Sequence, residues 1–345
     1  MNDLVEKNSN DSGIVVSSRV RLARNCVDYP FPTKLNIDDA IKVVDTFKSA
    51  VINSKNALSK KLVFIDSTNM PLIEKGCLVE KHLVSRDFAF KREITGLVLS
   101  KDEALSIMIN EEDHLRIQSI LQGLHISKCW RNCNLVDNII EENVKYAYSD
   151  ELGYLTSCPT NVGTGMRVSI MVHLPALTIL GYLRNVIDNV NKLGITVRGL
   201  YGEGSDFMGN LYQLSNQVSL GQPEEEIITK IEVIAQRIIN QEEIAREKLM
   251  EARMQLEDRL FRSYGIFSNA RIISSNECMK LLSDVRLGIE LGIIKSVNMD
   301  IIDELMVVTQ PANLQKYYQG MFTPAERDIK RAELIREKLG GIKNV

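Results

Sequence analysis

The sequence predicts a mixed α+β domain followed by an all-α domain. In the first part, apolar residues recur with the two-residue period of strands, as at Val168, Ile170 and Val172. Residues 224–262, in contrast, contain neither Gly nor Pro and are rich in Glu, Ile, Lys and Arg, which is typical of long helix. The predicted domains are therefore residues 1–245 and 246–345. A chain of 345 residues has room for both, at roughly 150 residues per domain.

The composition is that of a globular protein with no basic surplus. With 44% apolar and 25% charged residues, the chain matches neither disordered nor fibrous proteins. The formal net charge of -3 argues against nucleic acid as the main ligand. No apolar run approaches the roughly 20 residues that a membrane-spanning helix needs.

The six cysteines are scattered along the chain without the framework of a disulfide-rich protein. The polar start also lacks a secretory apolar segment, so the sequence indicates a reducing cytoplasm. Cys129 and Cys133 have the spacing of half a zinc site, but no second pair follows at metal-binding distance. We therefore expect no metal held by the protein alone.

Apolar periodicity and helix-stop residues predict the remaining elements. The predicted strands are 13–25, 61–66, 95–100, 106–110, a segment through Leu115 and Ile117, and one from Ile195 into a glycine-rich loop ending at Gly204. The predicted helices are 38–54, 134–147, 174–193, 277–291, 300–309 and 324–339.

Arginines are concentrated in the first predicted strand. Arg19 and Arg21 are two residues apart and would share one face of that strand, with Arg24 just beyond them. Two like charges side by side repel each other, which favours an anion bound between them. The alternative is an edge strand whose arginines are solvated.

The loop that precedes the strand at 168–172 also has the composition of an anion site. Gly163 and Gly165 allow close approach of the backbone, and Arg167 supplies a planar, charged donor. The loop lacks the third glycine of a dinucleotide fingerprint and the Lys of a P-loop. A purely structural loop with a solvated arginine would have the same composition.

Glu111, Glu112 and Asp113 form an acidic cluster in a predicted hairpin turn. Adjacent carboxylates raise each other's pKa unless a cation lies among them, so the cluster suggests a cationic ligand or a metal. A solvated acidic turn is the alternative.

Four stretches, taken together and in order, resemble the guanidino (phosphagen) kinases. They are Ser17-Ser-Arg-Val-Arg-Leu-Ala-Arg24, Asn110-Glu-Glu-Asp-His-Leu-Arg116, Cys158-Pro-Thr-Asn-Val-Gly-Thr-Gly-Met-Arg167 and Arg198-Gly-Leu-Tyr-Gly-Glu203. The resemblance covers about residues 14–245 and implies an antiparallel β-sheet flanked by helices. It also implies ATP and Mg²⁺ as cofactors, with the magnesium bound mainly by phosphate and water.

The resemblance also implies the roles of individual residues. Glu112 and Glu203 match the catalytic acids, and Cys158 occupies the reactive-cysteine position. A guanidinium has a pKa above about 12, so its nitrogen needs carboxylates that orient it and accept its proton. The implied ATP-binding residues are Ser17, Ser18, Arg19, Val20, Arg21, His82, Arg116, Arg167, Val168, Ser169, Ile170, Met171, Arg198, Gly199, Leu200, Tyr201, Gly202 and Glu203.

The C-terminal part departs from creatine and arginine kinases and resembles the bacterial protein arginine kinases of the McsB type. Those small-molecule kinases have a helical domain before the first arginine motif, whereas here sixteen residues precede Ser17. The RDxxRA motif at 327–332 implies a regulatory phosphoarginine pocket formed by Arg327, Asp328, Arg331 and Ala332.

The motif lies where a helix is predicted to begin. Thr323 has the position of a helix cap, with Pro324 in the first turn and Glu326 returning to the cap. Arg327 and Arg331 would then share a helix face, where their repulsion favours an anion, and a solvated face with ordinary ion pairs is the alternative.

The resemblance implies an enzyme that uses ATP to phosphorylate arginine side chains of proteins in a stress response. Its implied partners are the heat-shock repressor CtsR as a substrate, the zinc-binding activator McsA and the ClpC chaperone-protease. A kinase for a free guanidino metabolite and a non-catalytic adaptor that binds phosphoarginine are the alternatives. A homodimer is also expected, through apolar positions of the helical part at Ile227, Ile231, Ile234, Ile238 and Ala245.

Overall fold

The structure, a computed structural model, describes residues 13–53, 58–91, 93–199 and 207–340. Its strands are β1 (Val15–Arg24), β2 (Leu62–Asp66), β3 (Gly96–Ser100), β4 (Leu105–Ile109), β5 (Leu115–Gln122), β6 (Tyr148–Ser149), β7 (Gly153–Tyr154), β8 (Met166–His173), β9 (Ile195–Arg198) and β10 (Leu211–Asn216). Its helices are α1 (Ile37–Ile52), α2 (Leu72–Glu80), α3 (Arg86–Phe90), α4 (Ile126–Glu141), α5 (Pro175–Ile179), α6 (Leu183–Lys192), α7 (Glu224–Glu251), α8 (Arg253–Asn269), α9 (Ser275–Glu290), α10 (Met299–Val308), α11 (Pro311–Tyr317) and α12 (Pro324–Lys338).

Eight strands form one antiparallel sheet in the order β2-β3-β4-β5-β1-β8-β10-β9. β6 and β7 form a separate two-stranded hairpin. The predicted α+β class, an antiparallel sheet flanked by helices and followed by a helical region, is confirmed. β1 lies near the centre, with β5 on one side and β8 on the other.

One face of the sheet carries the main core. Val20 and Leu22 of β1 point to this face and are fully buried. α4 lies against β1 and β5, and α7 lies against β8 and β10. The thiols of Cys129 and Cys133, on α4, each lie 3.4 Å from a carbonyl oxygen of β1, so both cysteines are part of this core.

The opposite face is covered at its margins. On the β3–β4 side, α2 and α3 cover it through a smaller apolar cluster that includes Phe88, Leu97 and Met108. At the end of β8, the ring nitrogen Nε2 of His173 lies 2.8 Å from the Ser283 hydroxyl of α9. Between these margins, this face of the sheet is polar.

Several predicted helices differ from the observed ones. The helix predicted at 174–193 is two helices, because Gly181 adopts a left-handed conformation (φ +73°) between α5 and α6. The helix predicted at 134–147 begins earlier, at Ile126. The long helix predicted from residue 224 is interrupted at Ala252, whose φ of -101° and ψ of 47° are not helical. The cap at Thr323, with Glu326 returning to it, is confirmed.

The apolar positions chosen for a dimer interface are buried within the chain itself. Ile227, Ile231, Ile234, Ile238 and Ala245 are each at most 5% exposed, because α7 packs on the sheet. That part of the prediction was wrong, since these side chains offer no surface to a partner. Within the described residues, no helix has the length and hydropathy needed to cross a membrane.

Candidate active site

Five arginines lie on the polar face of the sheet. In the register of the strands, Arg21 is opposite Arg167, Arg116 is opposite Ala23, and Arg198 is opposite Gln213. Directly paired residues of neighbouring strands share a face, as do residues two apart on one strand. We call the set Arg19, Arg21, Arg116, Arg167 and Arg198 the arginine face.

Polar side chains of β8 and β10 hold part of the arginine face in place. Arg19 donates to the Gln213 amide oxygen at 2.9 Å and, through Nε, to the Ser169 hydroxyl at 3.3 Å. Arg167 donates to the Ser215 hydroxyl at 3.3 Å. These neutral partners orient the guanidinium groups without neutralising them.

The electrostatics of the arginine face favour an anion. Burial, with Arg116 and Arg167 nearby, lowers the pKa of Arg19 to about 9. Burial and the neighbouring arginines also lower the pKa of Arg21, and its Nε has no hydrogen-bond partner among the residues that the structure describes. A polyanion would relieve this repulsion and accept the remaining N–H groups.

Four predicted ATP contacts lie on the other side of the sheet. Ser18, Val20, Val168 and Ile170 alternate with the arginine-face positions and are buried in the core. The Ser18 hydroxyl donates to the Gly123 carbonyl instead. The side chains of these four residues therefore do not lie on the arginine face, whereas those of Ser17, Ser169 and Met171 share the side of the arginines.

The three consecutive acids between β4 and β5 have different environments. Glu111 is buried and forms a salt bridge with Arg116, while it also accepts a hydrogen bond from Ser85. Burial would raise the pKa of Glu111, but Arg116 and these hydrogen bonds hold it below its ordinary value. Glu112 is exposed, and partial desolvation together with Asp113 and Glu111 raises its pKa. Of the three carboxylates, Glu112 is the one available to a ligand.

Asp113 connects this turn to the loop that contains Cys158. Its Oδ1 accepts hydrogen bonds from the Asn25 amide at 2.6 Å and from the Ser157 backbone N–H at 2.7 Å. Glu112 precedes Asp113 in the chain and Cys158 follows Ser157, so this contact brings the two segments together. The Cys158 sulfur is half-buried and lies 3.1 Å from the Thr160 hydroxyl.

The glycines of this loop are required by its close packing. Gly163 has φ +114°, and a Cβ atom there would lie 2.7 Å from the Leu220 Cα atom. Gly165 has φ +65°, and a Cβ atom there would lie 2.6 Å from the Ala23 carbonyl oxygen. The loop is therefore a fitted structural element beside the arginine face.

A buried ion pair supports the loop from below. Arg24 donates through Nε and Nη2 to one oxygen of Asp137, at 3.1 and 2.7 Å. The same guanidinium donates to the Thr164 carbonyl at 2.9 Å and lies 3.6 Å from the centre of the Tyr154 ring. Arg24 is thus a structural arginine, unlike its neighbours Arg19 and Arg21.

His82 borders the arginine face. It follows α2 with a φ of 59°, and its carbonyl accepts a hydrogen bond from the Gln118 amide of β5 at 2.8 Å. Burial and the nearby Arg19 lower the pKa of His82 to about 4, so the ring is neutral at physiological pH.

Part of the fourth motif lies outside the described residues, namely Leu200, Tyr201, Gly202 and Glu203. Gly199 is described and follows Arg198 at the end of β9.

The predicted phosphoarginine residues lie in α12, away from the arginine face. Arg331 is 1% exposed and donates to the carbonyls of Thr309 and Ile273, both at 2.8 Å. It also forms a salt bridge of 2.6 Å with Asp328. Arg327 is half-buried and donates to the Phe322 carbonyl, and Ala332 is buried. The structure does not bring these residues together with Glu112 or Cys158.

Three residues of the site or its support were not predicted from the sequence: Gln213, Ser215 and Asp137. Gln213 and Ser215 belong to β10, where they alternate with Tyr212 and Leu214, and that alternation was the available signal. No local pattern marks Asp137, since its partner Arg24 is 113 positions away. Among the described residues, no group of three or more His, Cys, Asp and Glu side chains is arranged to hold a metal ion.

Two family models match consecutive parts of the chain. Residues 42–245 match the model described as ATP:guanido phosphotransferase, C-terminal catalytic domain. Residues 253–345 match the model described as Protein-arginine kinase McsB C-terminal domain. The two matches together span most of the chain.

Curated relatives are similar over nearly the whole chain. The protein-arginine kinase of Geobacillus sp. (strain WCH70) is 49% identical over 330 residues, which are 95% of this chain and 91% of that protein. The protein-arginine kinase of Caldanaerobacter subterraneus subsp. tengcongensis is 50% identical over 331 residues, which are 95% of this chain and 98% of that protein.

Solved structures of guanidino kinases share the fold. The duplicated taurocyamine kinase from Schistosoma mansoni, with bound transition state analog components, aligns with a TM-score of 0.59 and 26% identity. The alignment covers 70% of this chain but only 35% of that one. Lombricine kinase aligns with a TM-score of 0.59 and 23% identity over 68% of this chain and 67% of its own, and this likeness concerns the fold alone.

Proposed function

The chain belongs to the protein-arginine kinase family of ATP:guanido phosphotransferases, and from this premise we propose that its arginine face binds the phosphates of ATP while Glu112 serves the substrate arginine. The reaction is the ATP-dependent phosphorylation of arginine side chains in proteins. The observation that carries the site assignment is the arrangement of the arginines on one sheet face beside the exposed carboxylate of Glu112.

The arginine face suits phosphoryl transfer because that reaction depends mainly on positioning and charge neutralisation. Arg19 and Arg167 are oriented by Gln213, Ser169 and Ser215, so their N–H groups are fixed before a nucleotide arrives. Preorganised donors of this kind stabilise developing negative charge without rearrangement during the reaction. Arg116 is held too, by its salt bridge with the buried Glu111 carboxylate.

Glu112 has the environment of a proton acceptor for a guanidinium. In the reaction a guanidino nitrogen forms a bond to the γ-phosphorus, the bond from that phosphorus to the oxygen of ADP breaks, and the nitrogen loses a proton. A raised carboxyl pKa brings the acceptor closer to the basicity that proton transfer needs. We propose Glu203 as the second carboxylate and Cys158 as a residue that orients the guanidinium by charge or hydrogen bonding, without forming a covalent bond.

Mg²⁺ is proposed to enter the site bound to ATP. The side chains of the arginine face are donors without lone pairs and cannot be metal ligands. Magnesium prefers phosphate oxygens and water to all-protein sites, which agrees with this donor set. When bound, it would add to the neutralisation of the phosphates.

Incubation of the full chain with ATP, Mg²⁺ and an arginine-rich model protein tests this function. We expect acid-labile phosphate on the protein, with mass spectrometry locating it on arginine. A matched reaction with Glu112→Gln should form almost no such product. Acid-stable phosphate on hydroxyl residues, or no transfer by the parent chain, would contradict the proposal.

We also propose a phosphoarginine pocket at Arg327, Asp328, Arg331 and Ala332. The phosphate of a phosphoarginine could bind Arg327, and its remaining N–H groups could bind the Asp328 carboxylate. The half-buried side chains of Arg327 and Asp328 support this role. The burial of Arg331 against two carbonyls supports a positioning role for this arginine within the pocket.

The homodimer is proposed to use apolar side chains that α7 and α8 leave exposed. Ile244 is 64% exposed, Met254 is 75% exposed and Phe261 is 50% exposed. Met254 and Phe261 are seven residues apart on α8 and so share a helix face. Light scattering of the full chain should give twice the monomer mass, and a monomer at micromolar concentration would contradict the dimer.

The remaining assignments rest on the family. CtsR as a substrate, McsA as an activator, and ClpC as the chaperone-protease component that receives arginine-phosphorylated proteins are proposals drawn from the resemblance. A cytoplasmic location is proposed as well, and the six free cysteines support it. The domain boundary near residue 245 is supported by the limits of the family models, although α7 continues to Glu251.

A further inference from the structure

Glu80, the last residue of α2, binds the first turn of α11. Its Oε1 accepts a hydrogen bond from the Ala312 backbone N–H at 2.7 Å. Its Oε2 accepts two more, from the Asn313 backbone and side-chain N–H groups, both at 2.8 Å. A carboxylate with three short hydrogen bonds fixes the end of one helix against the start of another.

The two helices are also in close contact along their length. A Cβ atom at Gly76 would lie 2.7 Å from the Ala312 Cβ atom, so α2 and α11 approach each other at a position that only glycine permits. An exposed salt bridge between Glu74 and Lys316 joins the same helices. Because exposed ion pairs contribute little, Glu80 is the main polar link.

On one side, this link leads to α12. Thr309, two residues before α11, accepts through its carbonyl the hydrogen bond from Nε of the buried Arg331. Arg331 also binds the Ile273 carbonyl, so α12 and the segment that leads into α11 are held as one unit.

On the other side, the link leads to the margin of the arginine face. His82 is two residues after Glu80 and has a left-handed conformation with φ 59°. The His82 carbonyl is held by Gln118 of β5, and the next carbonyl, of Leu83, accepts from Ser106 of β4. The segment of residues 80–83 is therefore held at one end by α11, through Glu80, and at the other end by the sheet. Loss of the Glu80 hydrogen bonds would release one of the two anchors between which His82 lies.

We propose that Glu80 is a positioning residue through which the C-terminal helices set the place of His82 and thereby the affinity for ATP. This inference rests on the proposed function, in which the arginine face binds ATP, and on His82, which borders that face and which the resemblance implies to be an ATP-binding residue. Glu80 does not touch substrate or nucleotide, and it acts through the segment of residues 80–83. The three hydrogen bonds, the close helix contact and the fixed conformation of His82 together support it.

The experiment compares the ATP dependence of full-chain variants in the protein-phosphorylation assay. Glu80→Ala should raise the KM for ATP at least about fivefold, the lower end of typical coupling between sites, with kcat changed less than about twofold. Glu80→Gln keeps one of the two acceptor oxygens and should fall between the parent and Glu80→Ala. Glu74→Ala, which breaks only the exposed salt bridge of the same helices, should keep the parent KM.

A double variant tests whether Glu80 acts through His82. If it does, His82→Asn combined with Glu80→Ala should have the KM of His82→Asn alone, because the position of an absent ring no longer matters. A parent-like KM for Glu80→Ala, or fully additive effects in the double variant, would overturn the inference. The parent chain is assayed in the same experiment. If the proposed function is wrong, the parent reaction forms no phosphoarginine, which distinguishes that failure from a failure of the inference about Glu80. If Glu80→Ala does not fold, the KM of Glu80→Gln decides between the same outcomes.

Discussion

Glu111 and Glu112 are adjacent in sequence, yet they differ in environment and in their proposed roles. Glu111 is buried and bound by Arg116 and Ser85, so it serves to hold an arginine. Glu112 is exposed, and its pKa is raised by partial burial and by the two acids beside it. The repulsion expected from three consecutive acids is therefore relieved for Glu111 by Arg116, while Glu112 retains it.

Replacing each glutamate with glutamine should separate the two roles. Glu112→Gln should lower kcat by about 100-fold or more, because the proton acceptor is lost, while ATP affinity stays near that of the parent. Glu111→Gln should instead raise the KM for ATP, because Arg116 loses its ionic partner. Kinetics at varied ATP and varied protein substrate measure both effects. Near-normal turnover by Glu112→Gln would remove this residue from the mechanism.

His82 gives a prediction for the dependence of stability on pH. Its pKa is about 4 in the folded chain, whereas the unfolded value is near 6.5. As pH falls, His82 therefore binds a proton in the unfolded state before it does so in the folded state. The free energy of unfolding is unaffected by this group above about pH 6.5 and decreases between about pH 6.5 and pH 4. The upper limit is on the order of 3 kcal/mol, at about 1.4 kcal/mol for each pH unit.

The matched variant is His82→Asn, since Asn tolerates a positive φ. Denaturant unfolding across this pH range should show the parent losing more stability on acidification than the variant. Parallel curves for the two proteins would show that His82 is not the group responsible.

At the level of single elements, β1 combines two kinds of arginine. Arg19 and Arg21 face the polar side, whereas Arg24, at the end of the strand, turns into a buried pair with Asp137. The side chains of Arg24 and Asp137 are 2% and 6% exposed. One strand thus both presents the charges proposed to bind the ligand and supports the loop beside them.

Breaking this buried pair should be costly. Asp137→Ala leaves the buried Arg24 without its counter-ion and should lower the free energy of unfolding by about 3–5 kcal/mol. Asp258→Ala removes the partner of Arg262 in a pair whose side chains are 60% and 75% exposed, and should cost less than about 1 kcal/mol. Urea unfolding measures both values. Equal small losses would mean that the buried pair does not hold the loop.

The sequence predicts the elements whose local pattern is strong and misses those defined by distant contacts. β1 and β8 alternate clearly, and both are predicted. The start of α4 is missed because Cys129 and Cys133 were not counted as apolar residues. Both are buried in the core, and with Ile126 and Val136 they complete a helical spacing of apolar positions. β10 is missed because only half of its six residues are apolar.

The candidate site shows the same limit. The motifs identify Glu112, Cys158 and the five arginines, because these residues lie in short recognisable stretches. Gln213, which orients Arg19 across 194 positions, has no such local signal. Glu80 binds a helix 232 positions away, and only the folded chain brings the two together.

At the level of the whole molecule, α12 and the arginine face lie in different parts of the chain. Asp328 is half-buried and paired with Arg331, which is itself fixed by two carbonyls. Removing Arg331 would leave those carbonyls unsatisfied, at about 1–3 kcal/mol each, so Arg331→Ala is expected to destabilise the fold. Asp328 is the better residue for a test of regulation.

Asp328→Asn, which keeps an oxygen acceptor for the buried Arg331, should keep basal protein-arginine phosphorylation but lose any stimulation by free phosphoarginine, because the carboxylate for its N–H groups is gone. Glu333→Ala is the matched control, since Glu333 is an exposed acid on the same helix, paired with Lys330. Initial rates with and without phosphoarginine measure the effect. An unchanged response of Asp328→Asn would place the sensor elsewhere.

The reaction assigned to this chain is the transfer of phosphate from ATP to arginine within proteins. To test it, the full chain is incubated with labelled ATP, a model protein and free arginine. The free arginine is present at the same concentration as the arginine residues of the protein, and protein-bound phosphoarginine is then separated from free phosphoarginine. The label should accumulate on protein arginine, and Glu112→Gln should abolish this accumulation. Label found mainly on free arginine would overturn this assignment and identify the chain as a kinase of a small guanidino metabolite.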